Sequence, residues 1–138
     1  MLETGHDGLK LPWHGRVWMN HPYSSPMPWM VKLHEERAAW RCRESLVLAK
    51  LDPSTEWWAH LTDPQFGPCD VWVFKRRINH DIPPAVLADM QRRHESKGRK
   101  GKVNTSNNFA SALVHHRGFA GARLDLHDVA QLWNRVDF

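Results

Sequence analysis

Four consecutive residues combine the groups that can hold an exocyclic amine of a nucleobase: Asn20, His21, Pro22 and Tyr23. The amide oxygen of Asn20 can accept one amine hydrogen, and the main-chain carbonyl of His21 can accept the other. The ring of Tyr23 can stack on a base that has left the duplex, and Pro22 stiffens the turn. Such a turn suits methylation of adenine, a reaction that needs no strong base. The alternative is an ordinary polar turn, which is common after a strand.

The positive charge of the chain is concentrated in one segment. Nine basic and three acidic residues lie between Lys75 and Lys102, a net charge of +6, whereas the whole chain has a net charge of +4. Such a segment favours contact with a polyanion, because neutralising phosphates releases counterions. The candidate DNA-binding residues are Lys75, Arg76, Arg77, Arg92, Arg93, Lys97, Arg99, Lys100 and Lys102. A solvated lysine-rich loop is the alternative.

Alternating strand and helix patterns position these two features. Strands are predicted at residues 15–19, 45–51, 71–74 and 109–114. Helices are predicted from Pro26 to about Cys42, through Trp57, Trp58 and Leu61, and from Pro83 through Arg93. A terminal amphipathic helix or extension is suggested by Leu124, Leu126, Val129, Leu132 and Trp133. The alternation predicts an α/β sheet with helices on both faces, in which functional loops follow the carboxyl ends of strands.

The remaining residue types with possible chemistry predict no further site. The ten histidines show no zinc-type or facial-triad spacing, so no metal site is expected. Cys42 and Cys69 lack the spacing of a metal or disulfide framework, and we expect buried or idle thiols. Strand and helix periodicity predicts core packing for four tryptophans, with base stacking as the alternative. These tryptophans are Trp18, Trp40, Trp57 and Trp133.

Four sequence blocks follow one another over about residues 7–117. They are Gly15–Ser24 with Trp29 after it, Ser54–His60, Val73–Ile78 and Asn108–Val114. Together they resemble the DNA N6-adenine methyltransferases found in bacteriophages and prophages. The family's corresponding blocks are a strand ending in Asn-Pro-Pro-Tyr-Ser, a threonine-to-tryptophan stretch, a strand ending in Gly-Arg-Leu, and a final Phe-Pro-Ser-Ala-Leu-Val strand.

The resemblance implies an enzyme of the bacterial host cytoplasm that transfers methyl from S-adenosyl-L-methionine (AdoMet) to adenine in double-stranded DNA. The target-base residues would be Asn20, His21, Pro22 and Tyr23. A Rossmann-like methyltransferase region would span residues 1–117, with a basic insertion at about 80–107 and an extension at 118–138. The rival interpretation is a non-enzymatic DNA-binding remnant, or a small nucleic-acid-binding protein that uses the basic segment alone.

The chain departs from the family pattern in two respects. His21 replaces the second motif residue, a proline, and this exchange is tolerable if that position acts through its carbonyl. The family also places an Asp-x-Cys-Ala-like donor-binding strand upstream, where this sequence has Met1–Leu11. We therefore expect an incomplete sheet, unknown AdoMet-binding residues, and a subunit or upstream segment that supplies the donor site. Gly118–Gly121 is the alternative for a donor loop. No signal peptide or membrane-spanning stretch is evident, so no membrane contact is expected.

Overall fold

The computed structural model describes residues 7–78, 82–103, 108–118 and 133–136. Among these residues, five strands form one sheet in the order β1-β2-β4-β3-β5. The strands are β1 (Gly15–Met19), β2 (Cys42–Lys50), β3 (Cys69–Phe74), β4 (Ser111–His116) and β5 (Trp133–Val136). The helices are α1 (Met27–Ala38), α2 (Glu56–Leu61) and α3 (Pro84–Ser96), and a 3₁₀ turn covers Pro64–Phe66. The predicted α/β class is confirmed.

Strand directions in the sheet are mixed. β1 pairs with β2 in parallel, whereas β4 pairs antiparallel with both β2 and β3. β1, β2 and β3 therefore point the same way, with β4 running against them between β2 and β3. As a result, the carboxyl ends of β1, β2 and β3 share one edge of the sheet with the amino end of β4. We call this the Asn20 edge.

The main core lies between the sheet and its first two helices. Met30 and Leu33 of α1 and Leu61 of α2 are fully buried in one cluster with strand residues such as Val47. Leu48 alternates with Val47 along β2 and belongs to a second, smaller cluster on the other face. No residue of α3 is buried. The packing of α1 and α2 thus positions the turn after β1, and the expected arrangement of helices on both faces remains a prediction.

Most predicted elements are present with shifted ends. The predicted 15–19 strand is confirmed as β1, and α2 is found where the Trp57 pattern placed it. α1 ends at Ala38 rather than near Cys42, because Trp40 has a left-handed backbone (φ 63°) and Cys42 already opens β2. β4 begins two residues later than predicted, so Phe109 precedes it.

Two tryptophan predictions were wrong. Trp18 is 58% exposed and Trp40 is 70% exposed, so neither is a core residue. Trp18 faces solvent because side chains alternate along a strand and the adjacent Met19 lies on the buried face of β1. Trp40 is exposed because it lies beyond the last residue of α1. Trp57 packs against the main core as predicted.

The carboxyl-terminal prediction can be compared at one position. Trp133 lies in β5 and not in a helix, whereas Leu124, Leu126, Val129 and Leu132 lie outside the described residues. In the part of the chain that the structure describes, no helix has the length and apolar character needed to cross a membrane.

Candidate active site

Asn20 directly follows the carboxyl end of β1 and is exposed. The strand ends here because Met19 is its last buried residue and the chain then enters a turn that contains Pro22. Pro26 precedes α1, and a second proline occupies its first turn, where the missing N–H removes no helical bond. Asn20 therefore lies at the end of a strand, as the sequence predicts, and its amide is presented to solvent between β1 and α1.

His21 is buried, with 3% of its surface exposed. Its ring makes edge contacts with Tyr23 at 5.5 Å and with Trp57 at 5.9 Å between centroids. Neither ring nitrogen has a hydrogen-bond partner among the described residues. Burial lowers the pKa of His21 to about 4, so the imidazole is neutral near pH 7. The side chain thus acts as a packing element beneath the turn, a role that the sequence does not indicate.

Tyr23 is held by aromatic contacts on two sides. Its ring meets Phe109 edge-on at 5.1 Å, in addition to the contact with His21. The Tyr23 hydroxyl is buried without a hydrogen-bond partner among the described residues, and burial raises its pKa. Lys50, at the end of β2, lies 5.6 Å above the Phe109 ring. The aromatic contacts fix the ring of Tyr23 before any substrate arrives.

A cavity of about 450 Å³ runs along β1 and reaches Asn20 and His21. Trp13, Trp18 and Trp29 line it, and the Trp13 and Trp29 rings stack at 6.4 Å. The backbone N–H of Trp13 donates to the buried carboxylate of Glu36 at 3.2 Å. Hydrogen bonds from Arg41, together with Lys32 and the Trp13 N–H, lower the pKa of Glu36 to about 2. This buried carboxylate therefore anchors one wall of the cavity to α1.

The cavity lining does not fit AdoMet. AdoMet carries an ammonium group and two ribose hydroxyls, which acidic side chains commonly bind. Arg16 is the charged residue of the lining, and the lining contains no carboxylate. This cavity therefore lacks the carboxylate that a donor site commonly uses, and Phe119 to Gly121 of the alternative donor loop lie outside the described residues.

The basic residues are presented to solvent in two groups. Lys75, Arg76 and Arg77 are exposed immediately after β3, and so lie on the Asn20 edge. The second group lies on α3 and the loop after it, where every candidate is exposed: Arg92, Arg93, Lys97, Arg99, Lys100 and Lys102. Arg92 and Arg93 both form ion pairs with Asp89.

The loop after α3 folds back onto the helix. Gly98 has φ 73° and its N–H donates to the carbonyl of Glu95, as in a helix cap that needs a left-handed residue. The side chain of Gln91 then bonds the loop at Gly101 (2.9 Å) and at Val103 (2.8 Å). This folding brings cations of the helix and of the loop around one small cleft, which Arg93, Lys97 and Arg99 line.

Cys42, Cys69 and the adjacent His115 and His116 lie in structural surroundings. The described residues contain no group of three or more His, Cys, Asp or Glu side chains suited to a metal ion. Cys42 and Cys69 are free thiols, and burial raises the pKa of both. His115 bonds Glu44 at 2.7 Å and His116 bonds Ser45 at 3.0 Å, so the two adjacent histidines face opposite sides of the sheet.

Two residues of the site are not identified by sequence reasoning. The sequence predicts Phe109 as the first residue of a strand, and Trp57 as a core residue. Phe109 contacts Tyr23 across 86 positions of sequence, and Trp57 contacts His21 across 36. Both belong to the four family-like sequence blocks, which are the available signal. Their contacts with the turn depend on strand pairing, which local patterns do not specify.

Comparison with known proteins gives a family match over most of the chain. A family model described as DNA N-6-adenine-methyltransferase (Dam) matches residues 2–131. Comparisons with curated proteins and with solved structures find no match.

Proposed function

The chain belongs to the DNA N-6-adenine-methyltransferase (Dam) family, and on that premise we propose that it provides the target-base site of an enzyme that transfers methyl from AdoMet to adenine in DNA. The observation that carries the proposal is the exposed Asn20 at the end of β1, beside a Tyr23 ring held by its neighbours. Functional groups of α/β sheets commonly lie at this position.

The chemistry assigned to the turn is positioning of the amine. The Asn20 side-chain oxygen and the His21 main-chain carbonyl accept the two hydrogens of the adenine amine, which directs the nitrogen lone pair at the donor. The ring of Tyr23 stacks on the base after it leaves the duplex. Because His21 and Phe109 already hold that ring, little ordering is required when the base arrives.

We propose a Rossmann-like arrangement for this sheet. Its support is that β1, β2 and β3 share one direction and that each is followed by a helix. β4 departs from a purely parallel sheet because it runs antiparallel between β2 and β3. The division at residue 117 and the assignment of residues 80–107 as an insertion remain predictions.

AdoMet supplies the methyl group in this proposal, and a subunit or an upstream segment provides its binding site. Two observations support that arrangement. The lining of the cavity along β1 lacks the carboxylate that an AdoMet site commonly uses. In the described residues, β1 pairs only with β2, which leaves its other edge unpaired, and Trp18 of β1 is exposed. A segment docked on that edge would bring the donor next to Asn20.

Double-stranded DNA is the proposed polymer substrate, held through phosphates by the nine candidate basic residues. Their exposure supports this role, as does the position of Lys75 to Arg77 on the Asn20 edge. The same exposure also favours the second candidate function, a DNA-binding protein without activity. The two candidates differ in whether Asn20 matters, because binding through phosphates alone does not need it.

A methyl-transfer assay tests the proposal. The chain is assayed with labelled AdoMet and adenine-containing duplex DNA, alone and co-expressed with the segment encoded upstream of it. We expect weak or undetectable AdoMet binding by the isolated chain in calorimetry, and N6-methyladenine from the completed enzyme. Micromolar AdoMet affinity of the isolated chain would show that the donor-site proposal is wrong. Persistent absence of N6-methyladenine, with DNA binding retained, would instead support the non-enzymatic candidate.

A further inference from the structure

A second cleft lies at the end of the sheet opposite to the Asn20 edge. Its cavity has a volume of about 360 Å³ and lies between the last turn of α1, the start of β2 and the 3₁₀ turn. Its lining includes His34, Arg37, Trp40, Arg43, Gln65 and Phe66. Because β1 and β2 are parallel, the amino end of β2 is remote from the carboxyl end of β1. The cleft is therefore separate from the site proposed for the target base.

Arg37 presents an unsatisfied positive group in this cleft. One of its terminal nitrogens donates to the carbonyl of Phe66 at 3.3 Å, whereas its Nε is buried without a partner among the described residues. None of the ion pairs found among those residues includes Arg37 or the exposed Arg43. The described residues therefore leave the charges of Arg37 and Arg43 without a carboxylate, and an anion that enters the cleft can pair with them.

His34 and Phe66 form the inner wall of the cleft. His34 is 3% exposed, and its Nε2 lies 2.8 Å from the carbonyl of His60, to which it must donate. The Nδ1 atom is then an acceptor, and it is buried without a partner among the described residues. The Phe66 ring stacks on His34 at 3.9 Å, so a flat apolar surface adjoins these polar atoms. A ligand that suits the cleft therefore combines an anionic oxygen and a flat group.

Trp40 provides an exposed flat surface in the lining of the cleft. It has a left-handed backbone, with φ 63°, at a helix end where glycine is usual, and its side chain is 70% exposed. This backbone closes α1, because the Trp40 N–H donates to the carbonyl of Arg37 and the Arg41 N–H donates to the carbonyl of Glu36. Because Trp40 lines the cleft, its indole can cover a flat ring whose anionic group reaches Arg37.

We propose that this cleft binds a small anion, a carboxylate or phosphate ester, that carries a flat ring. Arg37 and Arg43 bind the anionic oxygens, and Trp40 covers the ring. The proposal does not depend on the methylation proposal, because it uses other residues at the other end of the sheet.

Calorimetric titration with three probes tests this site: phenyl phosphate, phenol and inorganic phosphate. We expect saturable binding of phenyl phosphate, and much weaker binding of phenol, which has the ring without the charge. Arg37→Gln should lower the affinity for phenyl phosphate about tenfold or more, the reduction expected for a charge-assisted bond. Lys10→Gln, at an exposed cation outside the cleft, is the matched control and should leave the affinity unchanged.

Trp40→Gly tests the contact with the ring of the ligand separately from the contact with its anionic group. It should weaken phenyl phosphate binding, leave inorganic phosphate binding unchanged, and raise the melting temperature by a few degrees, because glycine accepts the left-handed backbone. If Arg37→Gln fails to fold, Trp40→Gly and Arg43→Gln can be used instead, because both residues are exposed. The proposal is overturned by equal affinities for phenol and phenyl phosphate, or by folded variants that all keep wild-type affinity. Displacement of phenyl phosphate by duplex DNA would overturn the assignment to a free small molecule.

Discussion

At the scale of single residues, substitution of Asn20 should reduce methyl transfer without reducing DNA binding. In the completed enzyme, Asn20→Ala should reduce the rate about a hundredfold, because an acceptor aimed at the reacting amine contributes on the order of 3 kcal/mol. DNA affinity should stay nearly constant, since phosphate contacts supply it. Tyr23→Ala should instead weaken capture of the flipped base, by about 1–3 kcal/mol. Single-turnover kinetics and DNA titration measure the two effects.

The exposed Ser25 in the same turn offers a matched control for these variants. Ser25→Ala should leave both the rate and the DNA affinity unchanged. Full activity of Asn20→Ala would contradict the amine-clamp proposal, whatever the result for Tyr23.

His21 is the residue at which the structure changes the expectation most. Its carbonyl survives in His21→Pro, but the variant removes the buried imidazole that packs against Tyr23 and Trp57. We therefore expect a decrease of about 2 kcal/mol in the free energy of unfolding, with a methyl-transfer rate within about tenfold of wild type. Urea unfolding and the transfer assay, below the melting temperature of the variant, measure both.

His21→Phe is the companion to that variant. Phenylalanine fills the space and removes two buried nitrogens without partners among the described residues, so stability should hold or rise. If the rate falls by more than about tenfold in both folded variants, the imidazole itself takes part in the reaction, and the assignment to the carbonyl is wrong.

At the scale of elements, α3 and its loop carry most of the proposed phosphate contacts. Neutralising Arg92, Arg93, Arg99 and Lys100 should flatten the slope of log K against log salt by up to about 0.9 for each phosphate that the variant no longer neutralises. Asp89 already pairs with Arg92 and Arg93. Arg99 and Lys100 have no ion pair among the described residues, so these two should account for more of the change.

Filter binding over a series of salt concentrations measures these slopes, with Lys10→Gln as the control cation outside α3. An unchanged slope in the fourfold variant would mean that this segment is a solvated loop, as the alternative interpretation of the sequence holds. Because no residue of α3 is buried, its neutralisation should not unfold the protein.

At the scale of the whole molecule, three buried histidines make stability depend on pH. Burial lowers the pKa of His21 and His34 to about 4 and that of His116 to about 3. Above pH ~6.5 each is neutral in both states. Between that pH and the lowered pKa values of the folded protein, these histidines bind protons in the unfolded chain but not in the folded chain. Stability should therefore fall on acidification, by up to about 1.4 kcal/mol per pH unit for each histidine.

Urea unfolding at about pH 7.5, 6 and 5 measures this dependence. His21→Phe should reduce the change in the free energy of unfolding per pH unit by the contribution of one histidine. Glu36, with a pKa of about 2, keeps its stabilising contribution throughout this range and loses it only at lower pH. A flat profile between pH ~6.5 and ~5 would show that these histidines are not buried in solution.

Part of the site could be predicted because it is local in the sequence. The strand β1, the turn from Asn20 to Tyr23 and the helix α2 follow from short periodic patterns and from proline positions. The exposed basic segment follows from its charge density, since Lys and Arg are rarely buried without partners. The family assignment likewise follows from blocks of adjacent residues, and the family match over residues 2–131 confirms it.

Only the tertiary structure decided which distant residues meet. The placement of β4 between β2 and β3 sets Phe109 beside Tyr23, and the packing of α2 sets Trp57 against His21. Local periodicity assigns a residue to a strand or helix, but the pairing partner depends on contacts between segments far apart in the chain. The exposure of Trp40 and the unpartnered Nε of Arg37 arise in the same way, because they depend on where α1 ends against β2.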